Sequence, residues 1–497
     1  MSINFTWKHF LLLMLIISPI ILINITKAPI FLWDEGRNSL NALEMYYNNN
    51  FIVTHYESEP DMWNTKPPLL IWFQTFSMYI FGINELAIRF PSILATFFTC
   101  FTLYFFSKKT LNNNWIALFV CLILITTNGY IALHGSRTGD YDALLTLFLT
   151  ISSLSIYTYT ETKQNKWLYI FFVSLGLAVL TKGIAGLLFT PVYLLLIIFS
   201  NQFINLLKNK NLYIGICIFI IIGIAYYFIR ELLNPGYIKA VFENELGGRL
   251  NSTLDGLEEK NKFFYLDNLF NEINRFKTWI YLLPLGLIVS LFNPSKKIKK
   301  LSIYLSILVI CHYLVLTKAS TKYEWYDTPW YPLFAIIIGL GIYTLYEFLI
   351  KNKFTSKLKL NYLLIGFCLV ISSFTYYNIY TKITSELDEY QRNINLLSLF
   401  FQEVRYGERE IDNNMYYCSE IQPFNAMFYI NQLNNDFNFN IQQKEWEFLV
   451  PGDIVVVGHS DEIKKNIENK YFAEILENNQ TDWQHWGIKV YKIISIK

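Results

Sequence analysis

Residues 67–81 read PPLLIWFQTFSMYIF, an apolar stretch of 15 residues between Lys66 and Gly82. A helix needs about 20 apolar residues to cross a bilayer, so this stretch is short of a span. Whether it crosses sets the side of the membrane on which every later segment lies. If it lies flat and the N-terminus is inside, five basic groups fall on the cytoplasmic side. These are Lys108 with Lys109, Lys163 with Lys166, Lys208 with Lys210, Lys296 to Lys300, and Lys351 to Lys359. If it crosses, all five lie outside, against the positive-inside rule. The stretch is therefore expected to lie in the outer interface, with Trp72, Phe73 and Phe76 facing lipid.

The rest of the chain supports a membrane setting. Of 497 residues, 53% are hydrophobic and 16% are charged, against about 25% charged in soluble proteins. That balance excludes a disordered chain, an ordinary cytosolic enzyme and a small disulfide scaffold. Long apolar runs lie near 9–25, 86–107, 114–133, 142–160, 166–181, 183–200, 211–229, 277–292, 301–317, 329–350 and 360–380, about eleven expected spans. No small-residue cleavage site follows Ile25, so the first run reads as a helix rather than a signal peptide.

The expected fold is thus an α-helical polytopic membrane domain over 1–380, with outer loops at 26–85 and 230–276. From 381 to 497 the chain turns polar and Asn-rich, with strand-like runs at Met415–Cys418, Asp453–Val457 and Gly487–Ile494. Helix-like pieces lie between them near Pro423–Gln432 and Asp461–Asn469, which reads as a small extracytoplasmic α/β domain. Five of the six cysteines fall inside spans and Cys418 stands alone in that domain, so no disulfide is expected. No histidine pair has metal-ligand spacing and no glycine loop suits a nucleotide, so no cofactor is required and no nucleic acid is expected, while a divalent metal is possible but unsupported.

The unusual chemistry sits in the outward segments. Trp33-Asp34-Glu35-Gly36-Arg37 follows the first span, and paired carboxylates there suit either a general base or a cation site. They also suit a plain cap for the amphipathic helix that follows. Lys66 precedes Pro67 where it would meet an anionic phosphate or snorkel as an anchor. Asp142 stands where the fourth span enters the bilayer, a functional candidate by position, while Asp140 suits the same role or an N-cap. Lys182 is a lone cation at an outer turn. Glu243, Glu245 and Arg249 add charge to the loop beyond Asn234. Lys322-Tyr323-Glu324-Trp325-Tyr326 interleaves charge with aromatics, either as an interfacial belt or as a wall for a sugar and its phosphate.

Asp34-Glu35, Lys66-Pro67-Pro68, the run Asn84 to Pro91, Asp140-x-Asp142, Thr181-Lys182-Gly183 and the aromatic run ending at Pro332 occur in this order on one face. Together they resemble the polytopic GT-C glycosyltransferases, in particular the lipid A aminoarabinose transferases and the bacterial protein O-mannosyltransferase-like group, over about residues 5–350. The resemblance implies transfer of a sugar from a polyprenyl-phosphate donor to a lipid, glycan or protein acceptor at the outer face of the cytoplasmic membrane. It implies Asp34 as base or acceptor-orienting group with Glu35 beside it, and Asp142 or Asp140 as the second acidic position. It implies phosphate contacts at Lys66, Lys182 and Arg249, and a role for Tyr326. Arg37, Lys322 and Trp325 complete the expected substrate site. Thr65 stands where the aminoarabinose enzymes carry an acidic residue, so a metal site built on that position is not expected here.

A lipid phosphate leaves readily once cations meet its growing charge in a dry site, so transfer needs no nucleotide. A direct displacement inverts the anomeric centre. Two other readings share the same cations: a transporter or flippase for an anionic lipid-linked solute, and a polysaccharide ligase or polymerase. Charges gathered at one face, with no repeated halves, favour the transferase over the transporter.

Overall fold

The computed structural model describes residues 7–132, 134–251, 260–270, 276, 279–352, 357–458, 460–476 and 487–497. Every expected apolar run carries a helix. Seven helices are long and apolar enough to cross a membrane alone, and five shorter apolar helices accompany them, all among the described residues. Their outward faces carry bare apolar side chains such as Phe199, Ile221, Leu232, Phe292 and Val370, the surface that lipid covers.

The helices that build the site come early in the chain. They are α1 (Trp7–Leu22), α2 (Asp34–Asn48), α3 (Leu69–Phe81), α4 (Glu85–Leu111), α5 (Asn114–Ile125), the single turn α6 (Asn128–Ile131), α7 (Tyr141–Thr162) and α8 (Asn165–Lys182). Local chemistry fixes their ends. Asn84 caps α4 by accepting from the Ala87 amide, and α4 closes on left-handed Asn112 with Lys108 and Lys109 in its last turn. Helix α7 ends the same way on left-handed Lys163. It is buried almost throughout, as the central span of the bundle.

Three expectations need correction. The short stretch begins its helix at Leu69 rather than Pro67. Phe73 and Phe76 are exposed, but Trp72 is half-buried and its indole N–H donates to the Phe51 carbonyl at 2.6 Å. The run at 183–200 is not one span: a 3-10 turn, Gly183–Leu187, gives way to a separate helix, Thr190–Phe199. Ten residues reach about 15 Å, half of a bilayer core.

Most of the basic groups gather at the end of the bundle away from Asp34. Lys109 lies over the Trp167 ring at 5.0 Å, with Lys166 and Lys297 as charged neighbours. Lys300 pairs with Glu161 at 2.8 Å and has Lys163 as a neighbour.

The C-terminal part is a five-stranded sheet in the order β4-β3-β5-β7-β6. Its strands are β3 (Asn414–Cys418), β4 (Asn440–Gln443), β5 (Ile454–Val457), β6 (Tyr471–Ile475) and β7 (Lys489–Ile496), after a two-stranded hairpin of β1 (His55–Tyr56) and β2 (Glu59–Pro60). β4, β3 and β5 run parallel, and β7 is antiparallel to both β5 and β6. Strand β4, NIQQ, has one apolar residue and β6, YFAEI, shows no polar–apolar alternation, which is why the sequence pattern does not mark them.

Helix Phe424–Asp436 of this part packs on α2, and helix Leu396–Arg405 packs on Phe424–Asp436. Leu40, Leu43 and Met78 share one core with Phe400, Phe401 and Ile430. The approach is close. A Cβ on Gly36 would lie 2.8 Å from the backbone nitrogen of Asn425, so only glycine fits there.

Candidate functional site

The two adjacent carboxylates that follow α1 have different partners. Glu35 is buried and bound by Arg89, whose Nε and Nη2 donate to its two oxygens at 2.8 and 3.1 Å. It also accepts from the amides of Phe31 and Gly139. These contacts satisfy Glu35 and tie the loops after α1 and α6 to α4. Asp34 points the other way. Its side chain is 31% exposed, and Oδ2 lies 3.8 Å from Nδ1 of His134.

Trp33 makes this divergence possible. Its backbone has φ 74° and ψ −119°, a region that normally belongs to glycine. Such a conformation costs about 1–3 kcal/mol and persists only where the surroundings hold it.

His134 stands between Asp34 and Asp140, with Nδ1 3.5 Å from Asp140 Oδ2. Its ring stacks on Trp325 at 3.5 Å, nearly parallel, and Trp325 stacks in turn on Tyr323. Burial works against the charged imidazole, but Asp140, and behind it Asp34 and Asp142, outweigh it and hold the pKa above its ordinary value. Asp140 occupies the N-cap position of α7 yet makes no cap bond; Oδ2 accepts from the Thr138 hydroxyl instead.

On the far side of this cluster Lys182 Nζ meets Asp142 Oδ1 at 2.6 Å, both buried, and lies 5.2 Å from the Tyr326 ring. Lys66, also buried, lies 5.4 Å from the Tyr141 ring, in the first turn of α7. Lys66 and Lys182 thus flank the N-terminus of a long helix, where the peptide dipoles favour an anion. Lys322 is buried and makes no hydrogen bond or ion pair with any described residue. Its Nζ remains solvent-accessible, so the ammonium is open to an incoming anion.

Arg37 is held in a buried ion pair. Its guanidinium makes a two-bond pair with Asp61 at 2.9 Å and lies 3.6 Å from the Tyr56 ring, with Trp63 and Phe424 around it. Burial alone would raise the Asp61 carboxyl, but the Arg37 contacts and those from Asn41 and Asn64 hold it below its ordinary value. Arg249 falls in the helical segment Phe242–Asn251, and its side chain lies outside those described.

The expected residues therefore divide. Asp34, Asp140, Asp142, Lys66, Lys182, Trp325 and Tyr326 converge around the start of α7, whereas Glu35 and Arg37 are bound into buried ion pairs beside it. His134 escaped the sequence reading because it has no second histidine at helical spacing. Its signal was its place in the same outer turn as Asp140. Asp34, His134 and Asp140 each offer one ligand atom, all within 4.8 Å of one another. His134 Nδ1 and Asp140 Oδ1 are buried without a hydrogen-bond partner among the described residues. Two carboxylates and an imidazole so placed fit a divalent cation.

Comparison with solved structures covers nearly the whole chain. ArnT from Cupriavidus metallidurans bound to undecaprenyl phosphate superposes with a TM-score of 0.73 at 12% identity, over 97% of this chain and 98% of that one. The chain has the GT-C fold. The same GT-C architecture relates it to the oligosaccharyltransferase AglB from Archaeoglobus fulgidus, in complex with an inhibitory peptide and a dolichol-phosphate. There the TM-score is 0.55 at 12% identity, over 96% of this chain and 74% of that one.

In sequence, residues 65–228 match the family described as dolichyl-phosphate-mannose-protein mannosyltransferase. An undecaprenyl phosphate-alpha-4-amino-4-deoxy-L-arabinose arabinosyl transferase of Aeromonas hydrophila is 24% identical over 358 residues, 70% of this chain. The chain spans 63% of that relative's length. The chain is thus a polytopic membrane protein with the GT-C fold, similar in sequence to the aminoarabinose transferases and to the mannosyltransferase-like group.

Proposed function

We propose that this chain is a glycosyltransferase that moves a sugar from a polyprenyl-phosphate carrier to a lipid, glycan or protein acceptor, with Asp34 as the base. The observation that carries the reading is the arrangement around α7. A part-exposed carboxylate, Asp34, stands across His134 and Trp325 from a set of buried lysines, one of which, Lys322, has no counter-charge among the described residues.

In this reading Lys66, Lys182 and Lys322, with the start of α7, meet the carrier phosphate. Asp142 holds the Lys182 ammonium in place. Meeting the charge that develops on the departing phosphate lowers the barrier without any nucleotide. Asp34 takes the proton of the acceptor hydroxyl as that oxygen attacks the anomeric carbon, a contribution of about 10²–10⁴ in rate. The carbon–oxygen bond to the phosphate breaks on the opposite face, so the product is inverted. Asp34, His134 and Asp140 would hold a divalent cation, which when bound supplies further positive charge beside the reacting groups. The Trp325 and Tyr323 rings offer an apolar wall to the sugar.

The membrane placement belongs to the same proposal: cytoplasmic membrane, N-terminus inside, site and C-terminal domain outside, with the division between them near residue 380. It is supported by the lysine groups that gather at the end of the bundle opposite Asp34.

The reading is tested by lipid analysis of a strain lacking the gene. A polyprenyl-phosphate-linked sugar accumulates and a sugar is lost from one envelope component. An unchanged lipid-linked pool contradicts the assignment.

A further inference from the structure

The loop that carries Asp34 is held from two sides. From the membrane domain, Arg89 donates to the carbonyls of Ile25, Ala28 and Pro29 at 2.6–2.9 Å. From the C-terminal domain come contacts of another kind, which fix the amides just ahead of Asp34. Asn395 Oδ1 accepts from the Leu32 amide at 2.8 Å. The Tyr429 hydroxyl accepts from the Ile30 amide at 3.0 Å, and Ser398 donates to the Ile30 carbonyl at 2.9 Å.

These groups are themselves fixed. Asn395 is fully buried, takes a second hydrogen bond from Asn425 at 2.8 Å and donates to the Gln391 carbonyl at 2.7 Å. Tyr429 donates to Glu85 at 2.6 Å, beside Gln402 and Tyr406 on the same carboxylate. Glu85 thus latches the C-terminal domain to the first turn of α4.

Between Leu32 and Asp34 stands Trp33 in its glycine-like conformation, and the Arg37 amide donates to its carbonyl at 2.8 Å. A backbone held that far from its preferred region must be fixed on both flanks. The α2 helix fixes the following flank. On the preceding flank the Leu32 amide is fixed by Asn395.

We propose that the C-terminal domain is a positioning brace for Asp34, and that Asn395 is its positioning residue. Without the Asn395 contact, Trp33 relaxes and Asp34 turns away from His134. The carrier-phosphate lysines stand on other segments and are left unchanged. The inference rests on the reading of Asp34 as the base, and it gives the C-terminal domain a part in turnover rather than in stability alone.

The test uses the full chain in lipid nanodiscs, with the lipid-linked sugar that accumulates in the deletion strain as donor. In Asn395→Ala, amide exchange over residues 30–32 rises at least tenfold while that of the spans is unchanged. Its kcat falls at least tenfold with donor KM within twofold of wild type. Asn395→Asp, whose fully buried carboxyl stays protonated with its O–H on the Gln391 carbonyl, keeps an oxygen for Leu32 and Asn425 and recovers most of kcat.

Unchanged exchange in Asn395→Ala, or faster exchange with wild-type kcat, overturns the brace. So does a joint loss of kcat and KM that Asn395→Asp does not relieve, because that marks a fold defect. Asp34→Asn separates the two readings. If it is inactive while Asn395→Ala is unaffected, the brace alone fails; if it is active, the base assignment fails and the brace with it.

Discussion

Glu35 and Arg89 form a buried ion pair with two contacts, 2.8 and 3.1 Å, one residue away from a carboxylate that faces the site. Neighbouring acids, Asp34 and Glu35, thus have opposite surroundings, one part-exposed and one locked in a buried pair. Removing one partner of a buried pair leaves a charge without compensation and costs about 3–5 kcal/mol. Glu35→Ala is therefore expected to lower the thermal midpoint and yield of the detergent-purified protein, whereas Asp34→Asn leaves both near wild type. Thermal unfolding of the two variants side by side checks this, and equal midpoints would remove the distinction.

The lysines of the site divide in the same manner. Lys182 is paired with Asp142 at 2.6 Å, whereas Lys322 is buried without a partner among the described residues. Lys322→Met is expected to weaken undecaprenyl phosphate binding at least tenfold while leaving stability near wild type, since it breaks no buried ion pair. Lys182→Met is expected to weaken binding and to destabilise, because Asp142 is left alone. Carrier titration combined with unfolding separates the two.

The Arg37–Asp61 pair predicts a pH dependence. The Asp61 carboxyl titrates below its ordinary value in the folded chain, so the pair's contribution is present above the unfolded value of about 3.9. It is lost as pH falls through the depressed folded value. Arg37→Met is expected to be less stable than wild type at neutral pH, and the gap narrows below pH about 4. A gap that is constant with pH would contradict the pairing.

Orientation has its own test. With the short helix Leu69–Phe81 lying flat, cysteines placed at Lys108 and Lys210 react only with a thiol reagent that enters the cell. Labelling of either by an impermeant reagent would mean that this helix crosses the membrane.

The fold was legible because hydropathy and lysine placement report the same constraint, and each apolar run became a helix. Its failures were local. The break after Lys182 follows from Gly183 at φ 55° and from the 3-10 turn it opens, which an apolar average over 183–200 hides. Trp72 looked lipid-facing until the Phe51 carbonyl gave its N–H a partner. In the site, Asp34, Lys66, Asp142 and Lys182 stood out because charge near a bilayer needs a reason. The partners did not. Arg89 lies 54 positions from Glu35, His134 lies in the second outer loop, and Asn395 binds Leu32 across 363 positions. Such pairings exist only once the loops fold together.

The most direct measurement is turnover of a polyprenyl-phosphate-linked sugar by purified Asp34→Asn, set against its binding of undecaprenyl phosphate. The account predicts that binding stays within twofold of wild type while transfer falls by about 10²-fold or more. Wild-type transfer in this variant would contradict the role of Asp34, and with it the proposed mechanism.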